Sequence, residues 1–307
     1  MTETSQSRTP PRFIPLPERS LLVVAGPDAA HFLHNLVTAG IETLAPGMMR
    51  PAALLTPQGK VIVEMLIANA GEPDEPDGLF LIDVAQPFAE DLLARLVQYK
   101  LRAEVTLGHA PAGTGVAVML DQPDFASEEI YVFDDPRHAG LGKRLVGPME
   151  QLHRIGSDYG AETAAFYHHR RVRLGIPEIG KDYAPQSTFP HEILLDQLGG
   201  VDFRKGCYVG QEVVSRMEHR GTARTRALPV RFEGGFGVVG GSGILAGERA
   251  LGSVGESFGD HAIGLVRLDR LAEAIAAGET IRAGGAPIVI EQPDFVRFAV
   301  PQANAGN

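Results

Sequence analysis

Apolar residues in the first half of the chain fall alternately into short β-branched runs and helical stripes. Ser20 to Ala25 (Ser-Leu-Leu-Val-Val-Ala) stops at Gly26-Pro27-Asp28, which predicts a buried strand entering a turn. Asp28 can cap a helix over Ala29 to Thr38, where Phe32, Leu33, Leu36 and Val37 share one face. Runs at Ala52 to Thr56 and Lys60 to Ala68, joined by Thr56-Pro57-Gln58-Gly59, predict a hairpin, and Leu79 to Val84 a third strand beyond the acidic loop at 71–78. Pro87 opens a second helix, Phe88 to Lys100, with Leu92, Leu93, Leu96 and Val97 on one side. Strand-like pieces follow at Ala103 to Leu107, Val116 to Leu120 and Ile130 to Phe133. Helices and strands mixed in this way predict an α+β unit rather than a doubly wound sheet.

A helix is predicted over Asp158 to Leu174, ended by Gly175 and Pro177, whose His168, His169, Arg170, Arg171 and Arg173 could face an anion, though a solvated face is the commoner explanation of such a run. Lys181 to Phe189 reads as loop. Beyond Arg226, short runs at Leu228 to Phe232, Gly243 to Ala246, Ala250 to Val254 and Ala262 to Leu268 alternate with glycines, followed by a helix at Asp269 to Ala277 and a strand at Pro287 to Glu291. That spacing suits a small antiparallel barrel. The glycine-rich piece at 234–243 lacks the Lys-Ser/Thr ending of a phosphate loop and opens no helix, so it reads as a hairpin tip.

With 307 residues, 44% hydrophobic and 21% charged, the chain is long enough for two or three compact units. The formal net charge of −10 argues against a general nucleic-acid binder, and nucleic acid is not expected as a direct partner. The single cysteine excludes an internal disulfide framework and fits a reducing compartment. Met1 to Arg12 is Ser/Thr/Pro-rich without an apolar centre, which predicts a disordered tail, and 301–307 is read as a second tail. The longest uncharged apolar run, Leu21 to Gly26, falls far short of the roughly 20 residues that span a bilayer. These features together predict a cytoplasmic, monomeric protein without a membrane partner.

Charge is unevenly spread. Phe203 to Arg226 holds six cations and two carboxylates, a net +4 that leaves −14 for the rest of the chain. The only cysteine, Cys207, lies inside it, bracketed by Gly206 and Gly210, which suit a tight turn. Residue chemistry allows two readings of Cys207. Neighbouring cations, Lys205 first among them, favour a thiolate and hence a nucleophile or redox residue; alternatively the thiol is a small buried apolar group. One cysteine cannot supply a four-thiolate set, so any iron–sulfur cluster here would be transient, shared with another chain or held by other ligands. No other spaced His/Cys/carboxylate set is evident, and no metal site is expected. His31 and His34 lack a third ligand nearby.

Lys205-Gly206-Cys207-Tyr208-Val209-Gly210-Gln211-Glu212 resembles the K-G-C-[YF]-x-G-Q-E motif of the YgfZ family, the folate-binding relatives of the glycine-cleavage T-protein that include a mitochondrial iron–sulfur assembly factor. Its flanks resemble the family in order: Arg171 to Glu178 its R-x-x-x-G-[IV]-P-E end of a helix, Pro190-His191-Glu192 its P-x-E, and Leu198 to Phe203 its L-G-G-[IV]-S-F. Gly26, Asp28, Phe32, Leu33 and Thr38 resemble an N-terminal G-x-[DE]-x-x-x-F-L-x-x-x-x-T-x-D pattern, with Gly40 where the family often has Asp. Leu194-Leu195-Asp196 departs from an Asn-containing element that follows P-x-E.

The resemblance implies a T-protein-like three-part α+β fold around a central folate site. In it, 13–50 and 147–226 form a discontinuous first domain, 51–146 an inserted ferredoxin-like unit, and 227–300 a C-terminal β-barrel. A pterin needs a carboxylate for its guanidine-like edge and aromatic or apolar walls, and the glutamate tail needs a cation. Glu192, Phe189, Tyr208, Gln211 and Arg216 are the expected residues for tetrahydrofolate, with Cys207 and Lys205 carrying the chemistry. The implied function is support of assembly, maintenance or repair of [4Fe–4S] proteins, tRNA-modifying enzymes among them, through iron–sulfur clients or assembly factors as partners. The alternative is a folate-dependent aminomethyltransferase or demethylase-like enzyme.

Overall fold

The computed structural model describes residues 11–72, 78–122, 124–221 and 223–302; the expected tails and the acidic loop lie largely outside these. Strand β1 (Arg12–Pro15) leads directly into β2 (Arg19–Gly26). β2 joins the expected hairpin β3 (Met49–Leu55) and β4 (Val61–Asn69), then β5 (Gly78–Ala85) and β6 (Thr106–His109), in an antiparallel sheet ordered β3-β4-β5-β2-β6. Alternation along these strands sends Leu22, Val24, Val63, Met65 and Ile67 to one face, where helices α1 (Ala29–Leu36) and α2 (Ala89–Lys100) cover them with Phe32, Leu33, Leu92 and Leu96. Leu21, Leu66 and Leu81 point the other way.

That second face meets a sheet ordered β10-β1-β7-β9-β8, built from β1 with β7 (Thr114–Leu120), β8 (Tyr131–Asp134), β9 (Lys143–Pro148) and the short β10 (Gly160–Ala161). Helix α3 (Met149–Gly156) closes its outer side through Leu152 against Phe13, Met119 and Leu145. The helix expected from Asp158 begins later, as α4 (Ala164–Arg173), because Gly160 and Ala161 pair in parallel with β1. Its charged residues are only in part a solvated run, with Arg173 exposed. Arg171 and His168 are buried, and Arg170 is paired with Asp121 at 3.0 Å.

After helix α5 (Gln211–Arg220), strands β11 (Thr225–Phe232), β12 (Gly243–Ala246), β13 (Arg249–Val254), β14 (His261–Arg267), β15 (Ile281–Ala283) and β16 (Ala286–Ile290) close a barrel ordered β11-β14-β13-β12-β15-β16. Helix α6 (Leu268–Ala276) joins β14 to β15, and the glycine-rich piece joins β11 to β12, with Phe236 and Val239 exposed.

Where the two sheets, α4 and the segment 176–183 meet, the core is ionic. Arg144 stands between Asp83 at 3.2 Å and Asp135 at 3.8 Å, Arg19 bonds Asp83, and Arg171 donates to Asp182 and to the Ile176 carbonyl. Buried charges survive only when paired in this way.

Candidate functional site

Two stretches more than 160 residues apart build the platform for the cysteine. Helix α1 ends with carbonyls that have no partner within the helix, and the Lys205 ammonium donates to three oxygens there, those of His34, Val37 and Ala39. Burial pushes the Lys205 ammonium down to about 8, with Asp202 and Glu42 acting against it. Lys205 is therefore an anchor, with its donors committed to the end of α1. Buried Thr38 strengthens the same junction: its hydroxyl donates to the Gly200 carbonyl and accepts from Ala53 N at 2.9 Å, and its carbonyl accepts from Asp202 N at 3.0 Å.

Asp202 organises the turn that follows. Its Oδ1 accepts from Arg204 N at 2.9 Å and Lys205 N at 3.2 Å, the self-capping typical of Asx turns. A Cβ on Gly40 would stand 2.5 Å from Asp202 Oδ2, so a carboxylate does occupy the neighbourhood where Gly40 replaces the family's aspartate. It arrives from the other end of the chain.

Beyond this turn, Lys205 and Tyr208 point inward and Cys207 between them is exposed. Tyr208 packs with Ile179, Tyr183, Leu195 and Val201, and burial pushes its hydroxyl up. It packs as a core residue of the loop, away from the cleft that Phe189 and Glu192 line. Gly210 takes a φ of 80° as the residue before α5, and its Cα side faces Thr56 O and Gly59 at the β3–β4 turn. Gln211 is the first residue of α5, with its backbone N–H on the Tyr208 carbonyl.

Phe189, Glu192 and Arg216 do converge, on an open cleft of about 380 Å³ that Arg224 and Arg267 also line. Tyr208 and Gln211 do not line it. Glu192 Oε2 accepts from Phe189 N at 2.8 Å and lies 3.8 Å from Lys60 Nζ, which in turn sits 3.5 Å above the Phe189 ring. Arg224 belongs to the basic segment singled out in the sequence, whereas nothing in the β3–β4 hairpin or in the barrel strands marks Lys60 or Arg267 as neighbours of Glu192. The ionic centre, by contrast, encloses only about 20 Å³ beside Arg19, Glu64 and Arg137. That is room for a water, not a pterin.

The positive strip is not continuous either. Arg226 is buried, held at 3.0 Å from both oxygens of Asp196, while Arg216 and Arg224 remain exposed beside Glu212 and Asp269. Two side-chain sets with metal-ligand chemistry also assemble, His169/Asp260/His261 and His191/Asp196/Glu218, each with ligand atoms within 4.8 Å of one another. Neither set forms a spaced ligand motif in the sequence, and each is completed only by the fold.

Residues 224–298 match the family model described as the CAF17 C-terminal beta-barrel domain. The chain is 35% identical over 230 residues to the "Iron-sulfur cluster assembly factor IBA57 homolog, mitochondrial" of Phaeosphaeria nodorum, a match that covers 72% of this chain and 55% of that protein. It is 32% identical to the protein of the same description from Chaetomium globosum, covering 92% of this chain and 76% of the relative. Among solved structures, the glycine cleavage system aminomethyltransferase T from Bartonella henselae superposes with a TM-score of 0.74 at 15% identity, covering 94% of this chain and 87% of that one, which establishes the T-protein-like fold. The expected cytoplasmic location is overturned by these relatives, which are named mitochondrial. A single cysteine is compatible with any reducing compartment and so did not distinguish the cytoplasm from the mitochondrial interior. Among the described residues no helix is long and apolar enough to cross a membrane.

Proposed function

Because the chain belongs to the family of IBA57 iron–sulfur cluster assembly factors, we propose that it supports the assembly of [4Fe–4S] proteins by offering Cys207 to a partner that carries the cluster. The observation that carries this reading is the exposure of the chain's only thiol between two inward-pointing anchors, Lys205 and Tyr208. A structural cysteine of that size would sit on the inner face of the loop. One thiolate supplies one bond to a cluster, so the remaining ligands come from the partner, and the cluster is cargo rather than a resident cofactor. Iron–sulfur enzymes that modify tRNA are among the clients in this reading.

Cys207→Ser tests it. In cells that depend on this chain, activity of a [4Fe–4S] client should fall on the order of tenfold or more at unchanged client abundance, the scale expected when a reacting group is removed. Stability should change by no more than about 0.5 kcal/mol, as for other exposed substitutions. Full client activity with the serine variant would assign the loop's importance to its shape and not to its sulfur.

The same reading places a reduced folate in the Glu192 cleft. A carboxylate beside an aromatic ring suits the pterin edge, and Arg216, Arg224 and Arg267 suit the anionic tail. Glu192→Gln should weaken tetrahydrofolate binding in anaerobic calorimetry by about 1.5–3 kcal/mol, the worth of a charge-assisted hydrogen bond. No heat with ligand at about a millimolar, the weak end of measurable affinities, would remove folate from the reading and leave the thiol arm intact.

A further inference from the structure

We propose that His169, Asp260 and His261 form a binding site for one late first-row divalent metal ion, such as zinc, where α4 meets the barrel. The three residues offer ligand atoms within 4.8 Å of one another. Their arrangement is close to what a tetrahedral ion requires. Metal–ligand bonds of about 2.0–2.1 Å set ligand atoms roughly 3.3 Å apart. His169 Nε2 lies 3.4 Å from Asp260 Oδ1, His261 Nδ1 lies 2.7 Å from the same oxygen, and the two imidazoles' ligand atoms lie within 4.8 Å, so the second spacing must open when an ion enters and the third must settle to about 3.3 Å.

The surroundings fit a ligand role for His261. Its other nitrogen, Nε2, faces Glu291 Oε2 at 3.6 Å, and Glu291 is itself fixed by Arg231 at 3.0 Å. Nδ1 meets Asp260 Oδ1 in this structure, and when an ion displaces that hydrogen bond a carboxylate on the far side of the ring is placed to take the proton on Nε2. Gly259, with a φ of 63°, lets the turn before β14 deliver Asp260 and His261 side by side. The imidazoles come from two parts of the fold, His169 from α4 and His261 from the barrel, so an ion would cross-link them. Two imidazoles and one carboxylate select zinc, nickel, cobalt or ferrous iron over magnesium and calcium, and leave a coordination position to water.

The second set is a poorer candidate. His191 Nε2 meets Glu218 at 3.1 Å, but Asp196 already pairs with the Arg226 guanidinium through both oxygens. A fixed cation bonded to a would-be ligand opposes a second cation.

The test is calorimetric titration of zinc into the full chain after chelator treatment. One ion per chain is expected to bind, with His169→Ala and Asp260→Asn each weakening it at least about 30-fold and Glu218→Gln leaving it unchanged. Loss of the supporting carboxylate in Glu291→Gln should cost roughly 10–100-fold. His169 and Asp260 side chains are 36% and 39% exposed, so their removal spares the core, and unchanged thermal unfolding without metal would verify this. Cobalt in place of zinc should give visible bands of nitrogen and oxygen ligation without a thiolate charge-transfer band. The proposal is overturned by the absence of stoichiometric binding tighter than about 100 μM, by binding that survives His169→Ala and Asp260→Asn together, by its loss in Glu218→Gln, or by a thiolate band.

Discussion

Arg171→Met is expected to lower the unfolding free energy by about 3–5 kcal/mol, the cost of leaving buried charges without their partner. Arg171 is fully buried, donates to Asp182 and to the Ile176 carbonyl, and lies 3.7 Å from Glu178. Methionine fills much of the same volume but supplies no proton to either carboxylate. Acid titration gives the loss a signature. Burial alone would raise Glu178, but the Arg171 and Arg19 guanidiniums more than offset it and hold the carboxyl at about 2. A depressed folded value contributes stability above the unfolded value of about 4.3 and loses it as the pH falls toward the folded one. The difference between wild type and Arg171→Met should therefore be largest near neutral pH and shrink between about pH 4.5 and 2. Chemical denaturation at pH 7 and pH 3.5 measures both. A deficit under 1 kcal/mol at neutral pH, or one that does not depend on pH, would mean that water already compensates these carboxylates.

The parts of this molecule written in the sequence are those that depend on near neighbours. The β3–β4 hairpin, the α1 stripe and the short barrel strands announce themselves because side-chain periods of 2 and 3.6 act over a few residues. The charged face of α4 misled because pairing is not periodic. His168 meets Glu18 and Arg170 meets Asp121, far away in the chain, so the same letters that spell a solvated surface are here part of a core. Helix α3 escaped notice because one buried leucine, Leu152, and its neighbours make too short a stripe. Lys205 was legible as important and illegible as an anchor, since its acceptors are the carbonyls that end α1. Phe189, Glu192 and Arg216 share a cleft that also takes Arg267 from the barrel, a neighbour no local pattern announces.

The two glycines of the cysteine loop look equivalent in the sequence and should behave oppositely when altered. Around Gly206 an added Cβ meets nothing within 4 Å, so Gly206→Ala should be tolerated, with stability changed by no more than about 0.5 kcal/mol. Gly210 is different. Its φ of 80° costs a residue with a side chain roughly 1–2 kcal/mol, and the new Cβ would stand 2.6 Å from Thr56 O and 3.0 Å from Gly59 Cα. Both obstacles are backbone of the β3–β4 turn, which is held by Gly59 N on the Thr56 carbonyl at 2.8 Å and cannot rotate aside as a side chain would. Relief must come from the loop itself, by moving the start of α5 away from the hairpin and carrying Tyr208 and Cys207 with it. Gly210→Ala should thus cost about 2–5 kcal/mol, combining the backbone strain with overpacking of the kind that costs about 1–3 kcal/mol elsewhere. It should also depress client activity as far as Cys207→Ser does while the thiol is still present. Thiol titration distinguishes the two variants, and denaturation measures the strain. If Gly210→Ala keeps full client activity, the position of Cys207 against the hairpin is not what the partner reads, and an exposed thiol anywhere on this loop would serve.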